Sequence, residues 1–237
     1  MKHTSKYISS IFFLLFIATS YSQEKVQDSV VATIVPKKVQ RYGVRVGADI
    51  SKLARSFYED DYKGLELVGD YRLTKKFYLA AELGSESKKV LEDRLTFVTE
   101  GTYIKVGADY NAYENWLGMS NLIYIGGRYG ASTFSQQLDS YTIYNAHPYF
   151  GEEAEIISGE KFDGLSASWI EIVAGVKVEV VKNLYAGFSL RLNYLINDTK
   201  PENFSNLYIP GFNRTYDGNI GVGFNYSISY FIPLYKK

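Results

Sequence analysis

The sequence predicts an all-β fold, a transmembrane up-and-down antiparallel β-barrel of eight strands with short periplasmic turns and long extracellular loops. Three observations predict it. From Arg41 onward the chain divides into eight stretches whose side chains alternate with period two, as in strands with two unlike faces. The connections between these stretches alternate short and long, the pattern of a membrane barrel with turns at one end and loops at the other. One face of each clear stretch is apolar and free of charge through its middle, as lipid contact requires when Lys or Arg at the bilayer midplane costs about 2–4 kcal/mol.

In the first stretch, RYGVRVGADI, Tyr42, Val44, Val46, Ala48 and Ile50 oppose Gly43, Arg45, Gly47 and Asp49. GLELVGDYRL sets Leu65, Leu67, Tyr71 and Leu73 against Glu66, Asp70 and Arg72, and FYLAAELG sets Phe77, Leu79, Ala81 and Leu83 against Ala80 and Glu82. TYIKVGADY opposes Ile104, Val106, Ala108 and Tyr110 to Tyr103, Lys105, Gly107 and Asp109. The fifth stretch, Leu117 to Gly130, is the least regular, because Leu122 and Tyr124 share a face with Gly126 and Arg128. WIEIVAGVKVEV alternates Ile170, Ile172, Ala174, Val176, Val178 and Val180 with Glu171, Val173, Gly175, Lys177 and Glu179. LYAGFSLRLNYLI then places Tyr185, Gly187, Ser189, Arg191 and Asn193 on its polar face, and NIGVGFNYSISYFI places Gly221, Gly223, Asn225, Ser227 and Ser229 there. No amphipathic helix pattern is read between them.

Short connections fall at Thr74–Lys76, Asn111–Trp116 and Val181–Asn183, and long ones at roughly 51–62, 84–96, 131–167 and 197–217. An even number of strands puts both ends of the barrel on the periplasmic side. Tyr42, Tyr71, Phe77, Tyr110 and Tyr230 then gather near that edge on the apolar face, as an interfacial girdle of amphipathic rings does. A soluble eight-stranded barrel would turn its apolar face inward around a ligand, and it has no reason to align such a girdle.

The start of the chain supports export. Residues 1–22 read as a signal peptide, with basic Lys2 and Lys6, an apolar run from Ile11 to Ala18, and small Ser20 and Ser22 before Gln23. That run is shorter than the roughly 20 residues a spanning helix needs. Residues 23–40 read as a periplasmic tail, and 41–237 as the barrel in the cell outer membrane.

Composition narrows the function classes. With 26 basic and 26 acidic residues in 237, the net charge is zero, so the electrostatic footprint of a nucleic-acid binder is missing. There are no cysteines, which excludes disulfide frameworks, thiolate metal sites and cysteine nucleophiles, and only two histidines, His3 and His147. No cofactor is implied. The polar face, turned inward, carries Arg45, Arg72, Lys105, Arg128, Lys177 and Arg191 against Asp49, Glu66, Asp70, Glu82, Asp109, Glu171 and Glu179. An eight-stranded barrel is just wide enough for side chains to fill it, so this set reads as a structural network of paired charges.

The third long loop, 131–167, is acidic and aromatic. Tyr141, Tyr144, His147, Glu152, Glu153 and Glu155 are the candidates for binding a surface ligand there. The three glutamates offer hard oxygens to Ca²⁺ but lack the spacing of a calcium loop, and a solvated acidic loop is the better reading. His147 is the candidate general base, with Ser135, Ser140 and Ser158 in the same loop, yet no motif joins them.

Segments such as RYGVRVGADISK, GLELVGDYRLTKKFYLAAELG, YIKVGADYN and NLYIPGFNRTYDG resemble an uncharacterised family, a domain of unknown function, of small outer-membrane β-barrel proteins of the Bacteroidota. In architecture the chain is similar to eight-stranded OmpA-type and porin-like membrane domains. The resemblance implies fold and location, and brings no catalytic or binding residue. NYSISYF near the end is similar to the insertion signal read by the barrel-assembly machinery, although IPLYKK follows it. The expected partners are therefore outer-membrane lipid, that machinery, and a surface ligand at the third loop. The expected function is non-enzymatic, in envelope structure or surface-loop binding. The alternative is a narrow channel for ions or small apolar solutes, and a lipid-modifying enzyme ranks well below both.

Overall fold

In the computed structural model, residues 41–92, 94–114, 120–143, 155–201, 205–214 and 219–236 are described. The expected signal peptide and tail lie outside them, as do Tyr144, His147, Glu152 and Glu153. Eight antiparallel strands close a ring. They are β1 (Arg41–Asp49), β2 (Tyr62–Arg72), β3 (Phe77–Glu92), β4 (Leu95–Asn111), β5 (Leu122–Thr142), β6 (Glu155–Val181), β7 (Leu184–Asp198) and β10 (Ile220–Lys236), each paired with its neighbours in chain order. β1 and β10 seal the ring from Arg41 opposite Lys236 to Asp49 opposite Ser227, so Ile232–Lys236 belong to the last strand.

Period-two alternation decides which way every side chain points. Val46, Leu67, Leu83, Ile104, Ile172, Leu192 and Val222 are exposed on the outside, while Arg45, Glu66, Glu82, Lys105, Glu171 and Arg191 are buried within. The register stacks the outer residues into a belt: Leu83 lies opposite both Leu67 and Ile104, and Leu192 opposite both Ile172 and Val222. So large an uninterrupted apolar surface has no place in water, and it is the lipid-facing belt of a membrane barrel. In the fifth strand Leu122, Tyr124 and Arg128 do share the inner face, with Ile123, Ile125 and Tyr129 outside.

At the turn end the chain reverses tightly. Asn183 takes a positive φ of 67°, which Asn tolerates, and so closes the β6–β7 turn. Phe77 packs on Tyr110 with ring centroids 5.3 Å apart, and Tyr42 stacks on Tyr235 at 5.1 Å, which covers Tyr42 within the girdle.

The loop end departs from expectation in three ways. Most of 84–96 and 131–167 is strand, with β5 and β6 reaching 21 and 27 residues where roughly 9–11 suffice to cross a bilayer. The sequence hides this because both faces turn polar beyond the belt, as in Ser85–Lys89 and Ser132–Gln137, and the apolar signal of alternation fades. Second, residues Ile50–Tyr58 form a helix, α1, capped by Asp49, whose side chain accepts the Ser51 N–H at 2.8 Å. Ile50, Leu53, Ala54 and Phe57 have helical spacing, a signal that the strand reading passed over. Third, segment 197–217 holds a hairpin, β8 (Tyr208–Ile209) and β9 (Asn213–Arg214), with Ile209 and Phe212 fully buried. Those two pack with Tyr103, Phe134, Leu165, Trp169 and Leu195 into an apolar lid inside the mouth.

The belt predicts a positional contrast. Ile228→Arg, on the outer face opposite Ala186 and between the two edges of the belt, should lower the stability of the barrel in phosphatidylcholine vesicles by about 2–4 kcal/mol, read from urea unfolding. Ile157→Arg, 85% exposed on the β6 extension, should leave it within about 0.5 kcal/mol of the parent.

Candidate functional site

Among the described residues, chemistry-bearing side chains converge in the interior, and the strands deliver them in a column. At the turn end Arg41 pairs with Glu179 at 3.1 Å and donates to Asn183 Oδ1 at 2.7 Å. Arg72 donates to the carbonyl oxygens of Thr74, Lys75 and Arg41 and lies over Tyr42. Glu179 and Arg72 are thus rim residues, half open to water, rather than members of the buried network. Their positions near the strand ends let them reach the turn backbone.

One step inward, Asp70 is held between Arg45 at 2.7 Å and Lys177 at 2.6 Å. Arg45 also lies 5.0 Å from the ring centroid of Tyr78 and 5.1 Å from that of Tyr185, so the guanidinium is clamped by aromatic faces. The middle of the column is a lattice of shared charges. Arg128 holds Asp109 at 2.8 Å and approaches Glu82 at 3.6 Å; Arg191 binds Glu82 at 2.5 Å and Glu171 at 3.3 Å. Lys105 stands 3.3, 3.6 and 3.7 Å from Glu171, Glu82 and Glu66. Trp169 donates its indole N–H to Glu171 at 2.7 Å, and Gly130 on the adjacent strand makes room for that ring, since a Cβ there would fall 2.3 Å from it.

Toward the loop end the lattice continues from Glu66, Tyr103 and Asn225, which strand alternation marks, to Lys52, Glu86 and Tyr208, which it does not. Glu66 accepts from Tyr103 at 2.5 Å and Asn225 at 3.0 Å, and pairs with Lys52 of α1 at 3.0 Å. Lys52 also contacts Glu86, which accepts from Tyr208 at 2.6 Å and from the Gly211 N–H at 3.3 Å. Gly211 has a φ of 83° and its missing side chain lets Tyr103 pack against the hairpin turn. Burial alone would lower the pKa of Lys52, but Glu66 and Glu86 outweigh it and hold the ammonium above the ordinary lysine value. Burial, reinforced by Glu86, likewise raises the Tyr208 phenol, which stays a donor. Because the Lys52 pKa is raised, its contribution to folding is complete below the ordinary value of about 10.4 and is lost only as pH rises through the higher folded value.

A carboxylate taken from water into a dry barrel costs several kcal/mol unless its lone pairs are met, and here each central carboxylate meets at least one cation. No His/Cys/Asp/Glu grouping suited to a metal ion occurs among the described residues. Of the loop candidates, Tyr141 and Glu155 lie on the distal β5–β6 ladder, Tyr141 opposite Ile156 and Glu155 opposite Thr142, far from the column in strand register.

A family model described as "Domain of unknown function (DUF6048)" matches residues 4–237. A search of curated proteins finds no match. Among solved structures the chain is similar to the attachment invasion locus protein Ail of Yersinia pestis, at 12% identity over 81% of this chain and 97% of that one, with a TM-score of 0.40. It is similar to Neisserial surface protein A, at 11% identity over 83% and 100%, TM-score 0.43, and to Acinetobacter baumannii CarO2, at 12% over 83% and 100%, TM-score 0.39.

Lys105 tests the lattice. Lys105→Met removes the cation shared by Glu66, Glu82 and Glu171, leaving the buried cluster one positive charge poorer although each carboxylate keeps another partner, and should cost about 3–5 kcal/mol in urea unfolding from vesicles. Lys161→Ala removes an exposed pair with Asp163 and should change stability by less than about 0.5 kcal/mol.

Proposed function

The chain belongs to the family described as Domain of unknown function (DUF6048), and from that premise we propose that it is a non-enzymatic, non-conducting barrel of the outer membrane that holds a β-blade at the cell surface. The observation that carries this reading is the ion-paired column. Arg45, Lys105, Arg128 and Arg191 are all buried and committed to carboxylates, and the β8–β9 lid caps them with apolar side chains. An ion entering this barrel would have to break pairs in a dry interior before meeting water on the far side. The same packing argues against the alternative of a narrow channel.

The blade is the β5–β6 ladder, which rises past the belt for about half its length or more. Its tip carries exposed Ile143 and Ile157 beside Tyr141 and Glu155, apolar surface that a purely solvated loop has no use for. This favours binding of a surface ligand over a role confined to packing in the envelope. Insertion through the barrel-assembly machinery and outer-membrane placement are parts of the same proposal, supported by the lipid belt and by the aromatic end of β10.

Planar-bilayer recording on the refolded protein should show no channel events at any voltage. Steady unitary conductance from the parent protein would overturn the sealed reading. The double substitution Glu82→Ala with Arg191→Ala, which empties the centre of the column, should create conductance where the parent has none.

A further inference from the structure

The wall of the barrel is not paired over its whole height. β1 ends at Asp49, opposite Ser227 on one side, and its last partner on the other side is Leu67, opposite Ala48. Beyond that point β10 continues from Tyr226 to Ile220 with β7 alone as its partner, and β2 continues from Glu66 to Tyr62 with β3 alone. The two free edges face a gap, and α1 sits in it, packed against both strands. Ser56 of α1 accepts the Gly64 N–H at 2.8 Å, which satisfies part of the β2 edge. The helix copies the wall it replaces: Ile50, Phe57 and Tyr58 are exposed outward, and Lys52 reaches inward to the column.

Counting roughly 9–11 residues back along β10 from Tyr235 brings the upper edge of the lipid belt to about Phe224–Tyr226. The gap therefore opens at the outer interface of the membrane. Between α1 and β10 lies a cleft of about 440 Å³, within the roughly 300–1,000 Å³ of small-molecule sites. Its charged lining residues are Lys52, Arg55 and Lys88, all cations, and its outer lip is formed by the outward-facing Phe224 and Tyr226 at the edge of the belt and Val222 just beyond it. Arg55, half-buried, lies 4.0 Å from the ring centroid of Tyr62 and is paired with Glu59 at 2.7 Å, an i,i+4 pair weak enough for a ligand anion to displace.

We propose that this cleft binds an anionic amphiphile from the outer leaflet, a phosphate headgroup held at Arg55 and Lys88 with its acyl chain along Phe224 and Tyr226. Charge complementarity selects the headgroup, and the lipid-facing lip selects a ligand that arrives through the membrane. The site rests on the membrane reading of the belt but not on the sealed interior.

The test uses the refolded full barrel in a neutral detergent, with hexadecyl phosphate as probe and native mass spectrometry to count adducts. A saturable one-to-one adduct should form, about tenfold or more tighter than with zwitterionic hexadecylphosphocholine, and millimolar inorganic phosphate should not displace it. Arg55→Gln with Lys88→Gln should weaken it by about tenfold or more, because both charge-assisted hydrogen bonds to the headgroup are then removed. Ala54→Trp, which fills the cleft from an exposed helix position and leaves every ion pair in place, should do the same. Displacement by inorganic phosphate, equal binding of the zwitterion, or unchanged binding in Ala54→Trp would each overturn the site. Heat-modified gel migration and vesicle insertion are read first: a chain that never inserts sinks the membrane reading, whereas an inserted barrel without the adduct sinks the cleft alone.

Discussion

The structure turns on the pairing of charge inside a ring too narrow to hold bulk water. Eight strands leave an interior that side chains fill, and period-two alternation sends every second residue into it. Once the outer face is given to lipid, the inner face must take the polar residues, and in a dry interior a charge without a partner is untenable. The lattice around Glu82 and Glu171 answers that demand by sharing: Arg191 serves both, and Lys105 stands among three carboxylates. Such sharing links β2, β3, β4, β5, β6 and β7 across the lumen, so the ring is braced through its centre as well as around its wall.

The same constraint explains the two elements that break the barrel pattern. Glu66 and Glu86 stand at the loop end of the column, where Lys105 of β4 approaches Glu66 at 3.7 Å and both carboxylates share one further cation. The cation that meets them comes from α1, and the phenol that completes Glu86 comes from the β8–β9 hairpin. Asp49 joins the two demands. It is the last residue of β1, buried, and also the N-cap that starts α1, so the strand stops and the helix begins at one side chain. A helix is a sound filler for the gap in the wall because most of its backbone hydrogen bonds are internal, whereas a loop there would leave more backbone groups unpaired at the membrane interface.

The ring, its inside-out polarity and most of the column were legible in the sequence because they rest on local alternation: Arg45, Lys105, Asp109 and Arg191 each sit between two apolar side chains on the outer face, and Asp70 and Arg128 between a glycine and an outer tyrosine. Glu86 was not legible, since its neighbours Ser85 and Ser87 are polar and no contrast marks which side faces in. Lys52 carried a helical signal, but its partners lie 14 and 34 positions onward, a closeness that only the closed ring creates. Tyr208 is further still, 122 positions from Glu86. Side chains brought together by a loop folding back into the lumen leave no periodic trace, whereas those placed by a strand do.

The two ends of the column are closed by different physics, and that difference decides where the protein can exchange anything with its surroundings. At the turn end Arg41, Arg72 and Glu179 are tied to one another's strands or to turn backbone, partly wet, through contacts that water can replace at little cost. At the loop end the closure is apolar and buried, with Trp169, Phe212 and Ile209 fully enclosed, and opening it would expose that core together with Glu86. The wall beside α1 is different again. Its strand edges are already unpaired, its filler makes few of the ladder bonds that hold the other strands, and its lining is part aromatic and part cationic. Moving α1 as a whole would strip Lys52 from Glu86, so any give in this wall is confined to the outer side of the helix, where Arg55, Phe57 and Tyr58 take no part in the central lattice.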